Sequence, residues 1–197
     1  MSKPYSEACE RNKQIIAAKL TPWWQKLRYV LEIGSGTGQH SAYFCQQFAN
    51  LTWQSSDLPE QHEGILAWQE ASGCRNFLPP LALDLRAPWP VSSVEAIYTA
   101  NTLHIVSEAL VQRFFSAVGE HLMPAGYLFI YGPFNRGGEF TSASNAQFDV
   151  WLKMRDTDSG IRDIEWILML AAEQGLRLEV DFAMPANNRL LVFKRQS

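Results

Sequence analysis

The chain has 197 residues, 47% of them hydrophobic, and its 17 basic and 20 acidic side chains leave a net charge of −3. That length and composition predict one well-buried domain over residues 1–197, a folded globular protein and not a disordered one, and the slightly acidic balance argues against nucleic acid as a partner. Cys9, Cys45 and Cys74 are odd in number and lack metal-ligand spacing, and no apolar run approaches bilayer length, so the expectation is a cytoplasmic protein with reduced thiols, no metal and no membrane partner.

Ser6 caps a predicted helix whose apolar positions are Ala8, Ile15, Ile16 and Leu20, and Pro22 is expected to stop it. Residues 1–24 then read as a leading helix and partial lid, on which Arg11 and Asn12 face either a ligand or solvent. Val30, Leu31 and Ile33 suit a buried parallel strand. It runs into Gly34-Ser35-Gly36-Thr37-Gly38, a turn whose glycines permit positive φ and close backbone approach, followed by a helix from Gln39 to Gln47 with its N–H groups turned to the same spot. The pattern is a cofactor cradle.

Leu51 to Gln54 is a second strand leading to Ser55-Ser56-Asp57. Asp57 lies roughly 20 residues past the glycines, where a parallel α/β fold places the carboxylate that takes ribose hydroxyls; capping of the segment from Pro59 to Trp68 is the other reading. Asn76 to Leu85 is a third strand ending at Asp84, an acid placed to accept from an exocyclic amine or to make a turn. Val94 to Ala100 is the fourth strand, with Asn101-Thr102-Leu103-His104 as its exit.

Ser107 to His121 is a helix, Pro124-Ala125-Gly126 a turn and Tyr127 to Tyr131 a fifth strand. Residues 136–162 interrupt this rhythm as an insertion, with a helix carrying Phe148, Trp151 and Leu152 on one face, and are read as a substrate wall. Ile164 to Gln174 is a helix closed by Gly175. Leu176 to Phe182 and Leu190 to Lys194 are joined too closely for a crossover and must run antiparallel. The fold class is therefore α/β: a Rossmann-like seven-stranded sheet, mostly parallel, with an antiparallel C-terminal hairpin and helices on both faces.

Parallel strands present their C-terminal ends on one side, so Tyr131, Phe134, Asn135, Trp166, Asn187 and Asn188 are candidates for a substrate wall. Asn187 and Asn188 are equally suited to a turn, and Phe134 and Trp166 to the core.

Taken in order, these motifs resemble a class I S-adenosylmethionine-dependent methyltransferase. Leu31 to Gly38 resembles that superfamily's cofactor loop, Ala100 to His104 its fourth-strand exit, and the closing hairpin its topology. Tyr131-Gly132-Pro133-Phe134-Asn135, Phe140-Thr141-Ser142, Trp151-Leu152-Lys153 and Met184 to Leu191 resemble the family of methyltransferase-like protein twenty-six. The resemblance implies that Gly34, Ser35, Gly36, Thr37 and Gly38 approach the methionyl part of S-adenosylmethionine, with Glu32 organising its amino group. It implies further that Asp57 holds the ribose, Asp84 and Leu85 the adenine, and that Asn101 lies near the sulfonium. Gln54-Ser55-Ser56 departs from the family's usually apolar second strand.

Methyl transfer from a sulfonium is an in-line displacement that requires no metal, and a base only when the acceptor must lose a proton. His104 is the candidate base, with a structural hydrogen bond as its alternative role. Gln39 stands where a dinucleotide fingerprint wants its third glycine, and Asn101-Thr102-Leu103-His104 lacks the prolines of a nucleic-acid amino-methyltransferase exit. The expected activity is methyl transfer to a small-molecule or short-peptide acceptor, and the alternative is a catalytically silent cofactor-binding interaction protein.

Overall fold

The computed structural model describes residues 3–197. Seven strands form one sheet in the order β3-β2-β1-β4-β5-β7-β6, mostly parallel with an antiparallel C-terminal pair, as the alternation of elements predicts. The chain divides into two compact units, Met1–Tyr98 and Thr99–Ser197. No helix among the described residues is long and apolar enough to cross a membrane.

The first unit holds α1 (Glu7–Trp24), β1 (Tyr29–Ile33), α2 (Gln39–Gln47), β2 (Thr52–Asp57), α3 (His62–Ser72), β3 (Phe77–Ala82) and the start of β4 (Val94–Ala100). Ser6 caps α1 as predicted, its hydroxyl accepting from the Cys9 N–H. Pro22 does not stop the helix, which continues to Trp24. A proline in the last turn forfeits little of the hydrogen-bond ladder, and burial of Trp24 outweighs the loss. Its indole packs against Phe44 at 4.7 Å, Trp53 at 5.1 Å and Tyr98 at 5.7 Å between ring centroids.

The polar second strand has a mechanical reason. β3 carries Pro79 and Pro80, which have no N–H to donate, and the β2–β3 register shifts between Gln54 and Ser56. Gln54 Nε2 donates to the Ser55 carbonyl at 2.9 Å, in place of an N–H that the prolines cannot supply, and to the Pro79 carbonyl at 2.6 Å, tying the two strands together. The third strand also stops earlier than predicted, at Ala82 rather than Asp84.

The second unit holds the end of β4, α4 (Glu108–His121), β5 (Leu122–Pro133), α5 (Ala143–Arg155), α6 (Ile164–Glu173), β6 (Leu176–Met184) and β7 (Asn188–Arg195). The predicted turn at Pro124 to Gly126 lies inside β5 as a local bend, with Ala125 at φ 62°. Pairing of β5 with β7 begins only at Tyr127. The inward face of α5 also corrects the sequence reading. Asn145, Asp149 and Leu152 are buried, whereas Trp151 is 47% exposed. Polar anchoring decides this face: Asp149 Oδ1 accepts from the Ile161 N–H at 2.7 Å, and Asn145 Nδ2 donates to Thr141 Oγ1 at 3.0 Å.

Candidate functional site

In the first unit the cofactor-loop candidates converge on one buried carboxylate. Glu32 is 2% exposed, and its Oε2 accepts from Ser35 Oγ at 2.9 Å, from Trp53 Nε1 at 2.9 Å and from Ser41 Oγ. Burial raises its pKa, and the three hydrogen bonds oppose that rise. Ser35 completes a circuit by accepting from the Ser56 N–H, while Ser56 Oγ donates to the Glu32 carbonyl at 2.6 Å. The polar residues of β2 thus brace the loop. Ser41, Trp53 and Ser56 were missed from sequence because they lie 9 to 24 residues from Glu32.

Gly34, Gly36 and Gly38 all take positive φ, at 72°, 55° and 86°. Their surroundings differ. A Cβ on Gly38 would stand 2.9 Å from the Ile65 Cα, so this glycine serves the packing of α2 on α3. A Cβ on Gly36 would meet nothing within 4 Å, so the loop is open there. Asp57 fastens that open position, with Oδ2 accepting from the Gly36 N–H at 2.7 Å and Oδ1 from the Leu58 N–H at 2.7 Å. No side chain caps the helical segments after Asp57, so the cap role is not the one it fills. Burial raises the Asp57 pKa, against these backbone hydrogen bonds. Each carboxylate oxygen keeps a lone pair for a further donor.

The N-terminal segment is strapped to the same loop. Gln39 Oε1 accepts from the Ser6 N–H and from Thr37 Oγ1 at 3.1 Å, and Trp68 Nε1 donates to the Pro4 carbonyl at 2.7 Å. Asn12 is buried and its Oδ1 accepts from His40 Nε2 at 2.6 Å. Arg11 is exposed beside Glu7, so these two candidates do not share a site. His40, which sequence reasoning passed over, is fully enclosed, and burial pushes its pKa down to about 3. Asp84 sits in the turn after β3, where Arg86 Nε donates to it at 2.9 Å and holds its carboxyl below the usual range. Leu85 beside it is half-buried.

In the second unit the exit of β4 is held rigidly. Four successive carbonyls accept from the far end of the insertion: Leu103 O from Arg162 Nε at 3.1 Å, His104 O from the Gly160 N–H at 2.9 Å, Ile105 O from Ser159 Oγ at 3.0 Å, and Val106 O from Arg162 Nη2. Arg162, read from sequence only as the end of the substrate-wall insertion, is 7% exposed; a cation there carries no local sign of this clamp. His104, 6% exposed, meets the Phe148 ring edge at 5.3 Å. Burial, reinforced by the Arg162 guanidinium, pushes its pKa down to about 4. At pH 7 the imidazole is therefore neutral.

Phe134, Asn135, Asn187 and Asn188 line a cavity of about 170 Å³ in this unit, together with Ile164, Met184 and neighbouring residues. Asn135 Oδ1 is buried there with no hydrogen-bond partner among the described residues. Asn187 is also a turn residue, at φ 57°. Tyr131 and Trp166 do not line the cavity; Tyr131 is buried on β5, its carbonyl accepting from the Asn101 N–H, and Trp166 is half-buried on α6.

The fold is that of S-adenosylmethionine-dependent methyltransferases. An O-methyltransferase family protein from Burkholderia thailandensis superposes with a TM-score of 0.85 at 17% identity, over 97% of this chain and 58% of that one. The mitomycin 7-O-methyltransferase MmcR gives 0.82 at 18% identity, over 95% and 54%. Human N-acetylserotonin methyltransferase, in complex with its methyl donor, gives 0.77 at 14% identity, over 97% and 53%. The chain spans a little over half the length of these structures. The chain itself belongs to the family described as protein of unknown function (DUF938), which matches residues 3–195.

Proposed function

We propose that the protein is an S-adenosylmethionine-dependent methyltransferase acting on a small-molecule acceptor, of the kind represented by methyltransferase-like protein twenty-six. The observation that carries this reading is the opening at Gly36, set in a loop that Glu32, Ser35 and Asp57 hold in place. Glu32 and Ser35 shape the loop, the Gly34, Gly36 and Thr37 backbone receives the methionyl end, and Asp57 offers carboxylate lone pairs to ribose hydroxyls. Asp84 with Leu85 would border the adenine once Arg86 yields, and Asn101 belongs to the sulfonium side. Bound there, S-adenosylmethionine supplies a methyl group made electrophilic by its positively charged sulfur.

His104, at the exit of β4, is the residue assigned as base where an acceptor must shed a proton. Phe134, Asn135, Asn187 and Asn188 form the acceptor wall. Mitomycin and N-acetylserotonin, named for two of the structural neighbours, are small molecules, which favours an acceptor of that class here.

Calorimetric titration tests the cofactor assignment. S-adenosylhomocysteine is expected to bind and to raise the melting temperature, while NAD⁺ does neither. Preference for NAD⁺ overturns the reading. Tight S-adenosylhomocysteine binding, with no turnover over a broad acceptor library and no effect of His104→Gln, would instead favour the silent binding protein.

A further inference from the structure

The cavity of about 170 Å³ past the end of β5 is lined by charges of one sign: Arg136 and Arg189 border it, and no acidic side chain does. Both guanidiniums share one carboxylate outside that lining. Asp181 Oδ1 accepts from Arg189 Nε at 2.7 Å, and Asp181 Oδ2 stands 3.5 Å from Arg136 Nη2. The nearby acids Asp163 and Glu165 accept instead from the Gly138 and Gly137 N–H groups. A guanidinium carries five N–H donors, so two of them on a single carboxylate leave donors unused.

Asn135 lines the same cavity, and its Oδ1 is buried with no partner among the described residues. The rest of this residue is engaged. Its N–H donates to the Arg162 carbonyl at 2.9 Å, its carbonyl accepts from the Ile164 N–H at 3.0 Å, and Nδ2 donates to the Ile161 carbonyl at 3.3 Å. These bonds fix Oδ1 in place, and a buried acceptor left unpaired costs stability that nothing else here recovers. The β6–β7 turn beside it is strained too, with Ala186 and Asn187 both left-handed at φ 57°. Asn187 Nδ2 ties that turn to Ser144 Oγ at 3.3 Å. Phe134, Ile164 and Met184 make the apolar part of the wall.

We propose that this cavity takes the carboxylate end of the methyl acceptor: Arg189 and Arg136 hold a monoanionic carboxylate, and Asn135 Oδ1 accepts from an O–H or N–H on the same molecule. That the ligand is the methyl acceptor rests on the methyl-transfer reading; that it is a carboxylate does not. The guanidinium fork matches a planar carboxylate, and Asp181 shows that both arginines reach one such group together. Two guanidiniums less Asp181 leave one positive charge at the wall, which suits a monoanion. The volume lies below the roughly 300–1,000 Å³ that encloses a whole drug-sized ligand, so the cavity seats one end of a molecule.

The test is an NMR titration with benzoate, its neutral counterpart benzamide, phenyl phosphate and the three hydroxybenzoates. Benzoate is expected to shift the Arg189 Nε–H and Met184 methyl signals and to bind about ten-fold or more tighter than benzamide, because hydrogen bonds to a charged group are the stronger kind. Asp181→Asn removes the competing carboxylate and should tighten benzoate by about three-fold, a gain that a damaged fold cannot produce. Arg136→Gln, at an exposed position, should weaken it by about three-fold. At least one hydroxybenzoate should bind about five-fold tighter than benzoate, and Asn135→Leu should remove that advantage while benzoate itself still binds. Benzamide or phenyl phosphate matching benzoate, Asp181→Asn leaving benzoate no tighter, or no hydroxybenzoate gaining over benzoate would each overturn the inference. Benzoate binding without S-adenosylhomocysteine binding removes the cofactor assignment and leaves the carboxylate site standing; the reverse pattern removes the site alone.

Discussion

Alanine at Gly36 and at Gly38 should separate what the glycine loop does for folding from what it does for a ligand. Both positions are left-handed, at φ 55° and 86°, where an alanine side chain costs about 1–2 kcal/mol. Part of this is offset by about 0.4–1 kcal/mol from the stiffer unfolded chain. At Gly36 nothing else is added, because a Cβ meets no atom within 4 Å. At Gly38 the Cβ would press on the Ile65 backbone at 2.9 Å, and such overpacking adds about 1–3 kcal/mol. Urea denaturation should therefore rank Gly38→Ala as the more damaging to stability, by about 1–3 kcal/mol. Calorimetry with S-adenosylhomocysteine should invert the ranking of interest: Gly36→Ala, folded, loses binding by about 30-fold or more, since a methyl occupies the space and about 2 kcal/mol of contact is lost. Gly73, at φ 65° with nothing within 4 Å, is the control, equally strained and equally open but at the C-cap of α3. Gly73→Ala should bind normally. If Gly36→Ala binds within about three-fold of the wild type, the loop is not the cradle.

Two further outcomes follow from buried groups. His40 has its pKa lowered to about 3 and His104 to about 4, against 6.5 when exposed. As pH falls below 6.5 the unfolded chain takes up these protons first, so stability is lost from there down to the folded values. At about pH 5, some 1.5 units below the exposed value, each histidine should cost about 2 kcal/mol. Glu32 and Asp57, whose pKa values are raised, act in the opposite sense, so the measurement is the difference in acid sensitivity between wild type and His40→Gln by denaturant unfolding. Equal acid sensitivity of the two would refute the assignment. Trp24→Ala should lower stability by about 3–5 kcal/mol, because the indole is 1% exposed within a cluster of rings, and a loss under about 1 kcal/mol would mean that α1 is not anchored there.

What the sequence made legible were features written in consecutive residues. The run Val30 to Ile33, the alternating glycines, the helix at Gln39 and the closing hairpin all carry local periodicity or turn chemistry, and each stands where expected. Errors arose wherever a distant partner outweighed a local rule. Pro22 yields to the aromatic cluster around Trp24, the apolar face expected of α5 yields to the anchors on Asn145 and Asp149, and β3 ends before Asp84. The polar stretch Gln54-Ser55-Ser56 looked like a departure from pattern because its partners, the Pro79 carbonyl and the Glu32 circuit, come from other strands. The Arg162 clamp spans 56 to 59 residues of sequence and has no short-range signature at all.

Each compact unit repeats one design. In the first, Glu32 and Asp57 tie down a loop through buried hydrogen bonds and leave the Gly36 position empty of neighbours. In the second, Arg162 and its flanking residues tie down the β4 exit through the carbonyls of Leu103 to Val106. Fixing a loop so completely limits the conformational entropy that a ligand must remove on binding, so affinity at the Gly36 opening is governed by fit and hydrogen bonding. Gly36→Ala should then weaken S-adenosylhomocysteine binding while leaving the fold intact.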